Sequence, residues 1–176
     1  MLNETQIKLA LNRLGQLLHE ADESRTLLLV GGAALQLLGH THKVATTDVD
    51  NLLPMDNLLK NFVHIIAKEM NLREDWLNSN SSSFANKNID YSRNATTVID
   101  THSLTVKIVS LEIFIELKVR AHLDRGFDID DIIALNPSIS QLNKLKEILI
   151  KEGHHHTHVI EEDFNEIRRR LSEAKR

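Results

Sequence analysis

Two short groups of residues have the composition that phosphate chemistry requires. Gly31 and Gly32 are adjacent, and glycine lets the backbone come close to a ligand. Asp48 and Asp50 are separated by one residue, so on a strand both carboxylates point to one face and can share one or two divalent cations. Together these groups suit metal-assisted phosphoryl or nucleotidyl transfer. Each alone also fits a tight turn or a solvated strand end.

The segments around these groups predict how they are positioned. Residues 26–30 form a short apolar run that ends at the glycines, which is typical of a buried strand. Residues 33–38 have helical composition, and the helix start after the glycines would offer free N–H groups to a phosphate. Residues 46–53 alternate as a second strand that ends at Pro54. The predicted order is strand, glycine pair, short helix, strand.

The remaining periodicity predicts an α+β fold with more helix than strand. We interpret the polar run 78–83 as a loop. Helices are predicted at 4–21, 55–70, 111–122, 128–135, 140–151 and 159–175, and a hairpin from strands at 96–99 and 104–109. The length of 176 residues suits one domain, which we place at 1–136, with a helical extension at 137–176 packed on it.

Composition excludes several classes of protein. The absence of cysteine excludes disulfides, thiolate zinc sites and cysteine nucleophiles. No apolar stretch approaches the length of a membrane span, and the first twenty residues lack the pattern of a signal peptide, so we expect a cytoplasmic protein with no membrane partner. The net charge of −4 disfavours binding of long nucleic acid by charge alone, although a short RNA end bound with metal is compatible with it.

Two stretches of the chain resemble a known group of proteins. Residues 29–34, with Gly39 and residues 45–50, resemble the core motif of the DNA polymerase beta-type nucleotidyltransferase superfamily. Residues 110–121, which include Lys118, and the acidic stretch 124–131 are similar to the small bacterial and archaeal branch related to the AbiEii toxin of abortive-infection and toxin–antitoxin systems. The resemblance covers roughly residues 26–135.

This resemblance implies a fold, an activity and a site. The fold would be a nucleotidyltransferase-like mixed sheet flanked by helices, with Asp48 and Asp50 holding Mg²⁺ or Mn²⁺ and a nucleoside triphosphate lying over the glycine pair. A nucleoside monophosphate would pass to a hydroxyl of a protein, a tRNA or a small molecule, and pyrophosphate would leave. Lys43 and Lys118 would contact the nucleotide, and a cognate toxin or antitoxin is a further expected partner.

The chain departs from the superfamily pattern at three places. Val44 stands where an arginine is often found, and Asn51 where an apolar residue is common. Complete members present a third carboxylate, for which Asp100 is our candidate and Asp90 the next. An acid beside the aspartate pair would favour an enzyme, whereas an amide or apolar residue there would favour a catalytically silent interaction module of a toxin–antitoxin pair.

Several other groups have a structural and a chemical interpretation. Lys118 could contact a phosphate, or it could extend to solvent from a partly buried helix. We interpret the charged residues that follow it as helix caps and ion pairs, namely Arg125, Asp128 and Asp131. The histidines at 154–156 and 158 are predicted to form a surface loop, because a metal site there would need acids from elsewhere in the fold.

Overall fold

The structure, a computed structural model, describes residues 1–39, 45–84 and 89–174, and it divides into two compact units, Met1–Ser110 and Leu111–Arg176. In chain order, the first unit contains α1 (Glu4–Glu20), β1 (Arg25–Val30), α2 (Gly31–Leu37), β2 (Val49–Asn51), α3 (Asn57–Glu69), β3 (Leu77–Asn78), a 3₁₀ helix (Asn80–Phe84), β4 (Thr96–Asp100) and β5 (Leu104–Ile108).

The five strands form one mixed sheet in the order β3-β2-β1-β5-β4. The central strand β1 is parallel to β5 and antiparallel to β2, and β2 is parallel to β3. Strands β4 and β5 form the predicted antiparallel hairpin. The predicted α+β class with a mixed sheet and helices is therefore confirmed.

The helices of the first unit cover this sheet with apolar faces that the sequence spacing predicted. Helix α1 buries Ile7, Leu11 and Leu14 completely, and Asn3 begins it with a capping box. Arg13 joins α1 to α3 through two bonds to the carboxylate of Glu69, at 2.8 and 3.0 Å. These contacts fix α1 and α3 against each other.

Four helices form the second unit: α4 (Leu111–Arg125), α5 (Ile129–Ala134), α6 (Ile139–Glu152) and α7 (Thr157–Ala174). Helix α7 packs on α4, α5 and α6, and it buries Phe164 and Ile167 completely. The division between compact units falls at Ser110 rather than at 136, because α4 and α5 pack with α7 of the predicted extension. The domain boundary after residue 136 stays a prediction. Among the described residues, no helix is long and apolar enough to span a membrane.

Candidate active site

The glycine pair lies directly against the strand that carries Asp50. Val30, the last residue of β1, is the Cα partner of Asp50 on β2, and the chain turns at once into Gly31 with φ +75°. A Cβ at Gly31 would overlap the Asp50 carboxylate, and a Cβ at Gly32 would lie 2.9 Å from the hydroxyl oxygen of Thr46. Both positions therefore need glycine, one for its conformation and both for space. The fold thus brings together the two groups that the sequence separated by a helix and a loop.

Backbone bridges hold the segment that leads to Asp48. Thr46 pairs with Leu2, with N–H to carbonyl distances of 2.6 and 2.9 Å, so the start of the chain fixes this segment beside the sheet. Asp48 is half-buried just before β2, and it accepts hydrogen bonds from the Thr47 hydroxyl at 3.0 Å and from the Asn78 amide nitrogen at 3.2 Å. Both carboxylates of the predicted pair therefore lie on or just before β2, beside the end of β1, and that of Asp48 is held by hydrogen bonds.

Asn78 is the residue of this site that sequence reasoning missed. We placed it in a loop, but it lies on β3, where it is the Cα partner of Asp50. Its side-chain oxygen accepts a bond from the Asn80 N–H at 2.9 Å, so the amide nitrogen must point to Asp48. A two-residue strand inside a polar run is too short to show a period of two. The one available sequence signal for this strand was the large apolar residue just before it, Trp76, which is buried.

No third acid completes the aspartate pair within the part of the chain that the structure describes. The only three carboxylate or histidine groups there whose ligand atoms lie within 4.8 Å of one another are Asp124, His154 and His155, in the second unit. The neighbour of Asp48 is instead an amide, that of Asn78. By the criterion set from the sequence, this amide favours the catalytically silent interaction module over the enzyme.

Asp100, the predicted third carboxylate, lies at the other end of the sheet. It pairs with Thr105 on β5, which pairs with Thr26 at the start of β1, whereas Asp50 pairs with Val30 at its end. This register separates the two aspartates by about 13 Å along the strands and about 14 Å across them. The Asp100 carboxylate accepts a bond from the Thr105 hydroxyl at 3.1 Å. The other candidate, Asp90, bonds the backbone and the hydroxyl of Ser92.

Asn51, which departs from the superfamily pattern, has a structural role. Its side chain is completely buried, its oxygen accepts the Leu28 N–H at 2.8 Å, and its nitrogen donates to the Leu53 carbonyl at 2.8 Å. The amide thus replaces a backbone partner where β2 ends. This strand is three residues long, whereas the sequence predicted a longer one. Lys43 and Val44, the other positions raised from the sequence, lie outside the described residues.

A cation and a cavity adjoin the Asp48 side of the site. Arg73 bonds both oxygens of Asp75, at 2.9 and 2.8 Å; this raises the pKa of Arg73, and the charge of Asp48 raises it further. A cavity of about 390 Å³ opens beside Asn78, with Lys60 and His64 of α3 in its lining. The site therefore has open space next to its acidic pair, and the charge of Arg73 is paired with Asp75.

Comparison with protein families finds a match that covers almost the whole chain. Residues 6–176 match DUF6036, a family described as a nucleotidyltransferase of unknown function. The chain belongs to this family. No curated protein and no solved structure matches it. The predicted nucleotidyltransferase class is thus confirmed for this DUF6036 protein, and the narrower likeness to the AbiEii-related branch stays a prediction.

Lys118 of this DUF6036 protein is held by carboxylates of its own unit. Its ammonium group donates to Asp128 at 2.8 Å and to Asp131 at 2.7 Å, and Arg125 also pairs with Asp128 at 2.7 Å. Burial opposes the charge on Lys118, but the two carboxylates outweigh this effect and raise the pKa of Lys118. The predicted ion pairs are observed, although the Asp128 side chain makes no capping bond to α5. A contact of Lys118 with nucleotide stays a prediction.

Proposed function

We propose that this protein binds a nucleoside triphosphate with Mg²⁺ or Mn²⁺ at the site formed by Gly31, Gly32, Asp48 and Asp50, and transfers its nucleoside monophosphate to a hydroxyl acceptor. The observation that carries the proposal is the contact of the glycine pair with the strand that bears Asp50. Family membership supports the class of reaction. The supply of triphosphates and Mg²⁺ in the cytoplasm suits this activity.

The residues of the site have different chemical roles. Asp48 and Asp50 supply the oxygen ligands that a hard divalent cation prefers, and such an ion, when bound, neutralises phosphate charge and polarises the attacking hydroxyl. The glycines leave room for phosphate oxygens close to the backbone. In the reaction, the acceptor oxygen bonds to the α-phosphorus and pyrophosphate leaves. The cavity beside Asn78 is the proposed side of approach for a protein, RNA or small-molecule hydroxyl.

The experiment that tests this proposal is a thermal shift with each of the four triphosphates. We expect Mg²⁺ with the preferred triphosphate to raise the melting temperature, because a ligand that binds only the folded state stabilises it. Asp48→Asn with Asp50→Asn should abolish this shift, whereas Asp22→Asn, which removes one exposed charge from the turn after α1, should leave it unchanged. No shift with any triphosphate would refute the substrate assignment. Asp100→Asn should likewise leave the shift unchanged, because Asp100 lies at the other end of the sheet.

Asn78 favours a second function, that of a nucleotide-binding module without turnover that binds a toxin or antitoxin partner. The amide holds Asp48 where an acid would complete the metal site. The two functions are separated by transfer of label from each α-labelled triphosphate to protein and RNA acceptors. Label on an acceptor with the wild-type chain supports the enzyme. A nucleotide-dependent thermal shift without transfer supports the module.

The variant Asn78→Asp tests whether residue 78 belongs to the metal site. A carboxylate at residue 78 would stand near 3.2 Å from that of Asp48, so the variant should be less stable than the wild type without metal. With Mn²⁺ bound between them, the repulsion becomes attraction, and we expect metal binding at least about tenfold tighter, about 1.4 kcal/mol. Calorimetric titration with Mn²⁺ measures this, with Asn80→Asp as the matched control for an added charge. Equal affinity in both variants would remove Asn78 from the metal site.

A further inference from the structure

We propose that Asp124, His154 and His155 form a binding site for Zn²⁺ in the second unit, separate from the Mg²⁺ site proposed above. Asp124 lies near the end of α4, and the two histidines follow α6. The imidazole Nε2 atoms of His155 and His154 lie 2.9 and 3.3 Å from the same oxygen of Asp124, Oδ1. The sequence alone identified no acidic residue beside these histidines, whereas the fold brings Asp124 next to them.

The turn after α6 explains how adjacent histidines come to face the same oxygen. Gly153 ends the helix in the left-handed conformation, with φ +66°, and the His154 N–H bonds back to the Leu149 carbonyl at 3.2 Å. His156 then accepts the first backbone bonds of α7, from Val159 and Ile160. This tight connection sets the two rings edge to face, with centroids 4.9 Å apart.

The distances fit a tetrahedral ion. Zn²⁺ binds imidazole nitrogen and carboxylate oxygen at about 2.0–2.1 Å, so neighbouring ligand atoms in a tetrahedron lie about 3.3 Å apart. The two nitrogen-to-oxygen distances are close to this value, and the three ligand atoms all lie within 4.8 Å of one another. Two histidines and one carboxylate leave the fourth position to water, as in other three-ligand zinc sites.

Only one of the two imidazole Nε2 atoms makes a hydrogen bond to the carboxylate. His155 Nε2 bonds Asp124, but the buried Nε2 of His154 has no hydrogen-bond partner among the described residues. A buried polar atom without a partner calls for an explanation such as a bound ion. A metal ion between the three groups would satisfy this nitrogen and would replace the hydrogen bond between His155 and Asp124.

The surrounding charges favour a dication. The ionised groups that act on His154 include Asp124, Arg120 and Glu152, and Arg120 also pairs with Glu116 at 2.9 Å and with Glu152 at 2.8 Å. Three carboxylates against one guanidinium give this cluster a net charge of −2. A bound Zn²⁺ would neutralise it and would join the end of α4 to the connection between α6 and α7.

The test is calorimetric titration of Zn²⁺ into untagged protein that carries Asp48→Asn and Asp50→Asn, so that the proposed Mg²⁺ site cannot contribute. We expect one Zn²⁺ per chain and at least about tenfold weaker binding after Asp124→Asn or His155→Gln, a loss that even outer partners of metal ligands cause. The matched control is His156→Gln with His158→Gln, because these exposed rings stack on each other outside the cluster. This control should bind as the parent does.

Two results would overturn the proposal. One is equal Zn²⁺ affinity in the parent and in the Asp124 and His155 variants. The other is an equal loss in the His156 and His158 control, which would mean that the histidine run binds metal as an exposed cluster. Circular dichroism checks that each variant keeps its helices, and His155→Gln decides the outcome if Asp124→Asn does not fold. The absorption bands of bound Co²⁺ test tetrahedral coordination independently.

Discussion

Replacing Gly31 by alanine tests the contact on which the proposed site depends. Gly31 has φ +75°, and its missing Cβ would occupy the space of the Asp50 carboxylate. Gly39 offers a matched control, because it has φ +79° and no atom of the described residues lies within 4 Å of its Cβ position. The two substitutions therefore share the conformational cost, and only Gly31→Ala adds the collision.

The magnitudes can be worked out from these two environments. A left-handed alanine costs about 1–2 kcal/mol. The stiffer unfolded chain offsets about 0.4–1 kcal/mol of this cost. Gly39→Ala should thus lower the free energy of unfolding by about 1 kcal/mol. Displacing a packed group adds about 1–3 kcal/mol, so Gly31→Ala should cost about 2–4 kcal/mol in total.

The assay follows from the composition of the chain. Trp76 is the single tryptophan, it is completely buried in the first unit, and its indole N–H donates to the Val63 carbonyl at 3.1 Å. Its fluorescence during urea unfolding therefore reports the unit that carries Gly31 and Gly39. The Mg²⁺ and triphosphate thermal shift is measured on the same variants. Equal destabilisation by both substitutions, or an unchanged ligand shift in Gly31→Ala, would refute the proposed contact between glycine and carboxylate.

Two further predictions concern buried polar groups. Asn51→Leu leaves the Leu28 N–H and the Leu53 carbonyl without their side-chain partner, so it should cost about 1–3 kcal/mol in urea unfolding followed by Trp76 fluorescence; an unchanged midpoint would contradict this role. Lys118→Met leaves Asp128 and Asp131 without their shared cation and should cost about 3–5 kcal/mol, measured by circular dichroism. Because the folded state raises the pKa of Lys118, the wild-type advantage should be complete below about pH 10 and should decline as pH rises through the folded pKa. A constant difference between pH 8 and the onset of alkaline unfolding, above about pH 10, would contradict this coupling.

Local patterns account for most of the elements. The spacing of apolar residues predicted α1 and α3 to α7, and the β-rich runs around a polar turn predicted the hairpin of β4 and β5. The sequence also identified Gly31, Gly32, Asp48 and Asp50, because the chemistry of these residues depends on spacing over one or two positions. Strand β3 was not predicted, because two residues among polar neighbours carry no periodic signal.

Strand pairing and helix packing bring other residues beside each site, and no local sequence pattern encodes these contacts. Strand register placed Asp100 at the far end of the sheet and Asn78 next to Asp48. In the second unit, the helix packing brought Asp124 to His154 and His155, thirty and thirty-one positions along the chain. The sequence by itself determined which residues could do chemistry and where most of the helices and strands lie, since both depend on neighbours in the chain. Only the tertiary structure decided which of them share a site, because strand register and helix packing depend on contacts between distant segments.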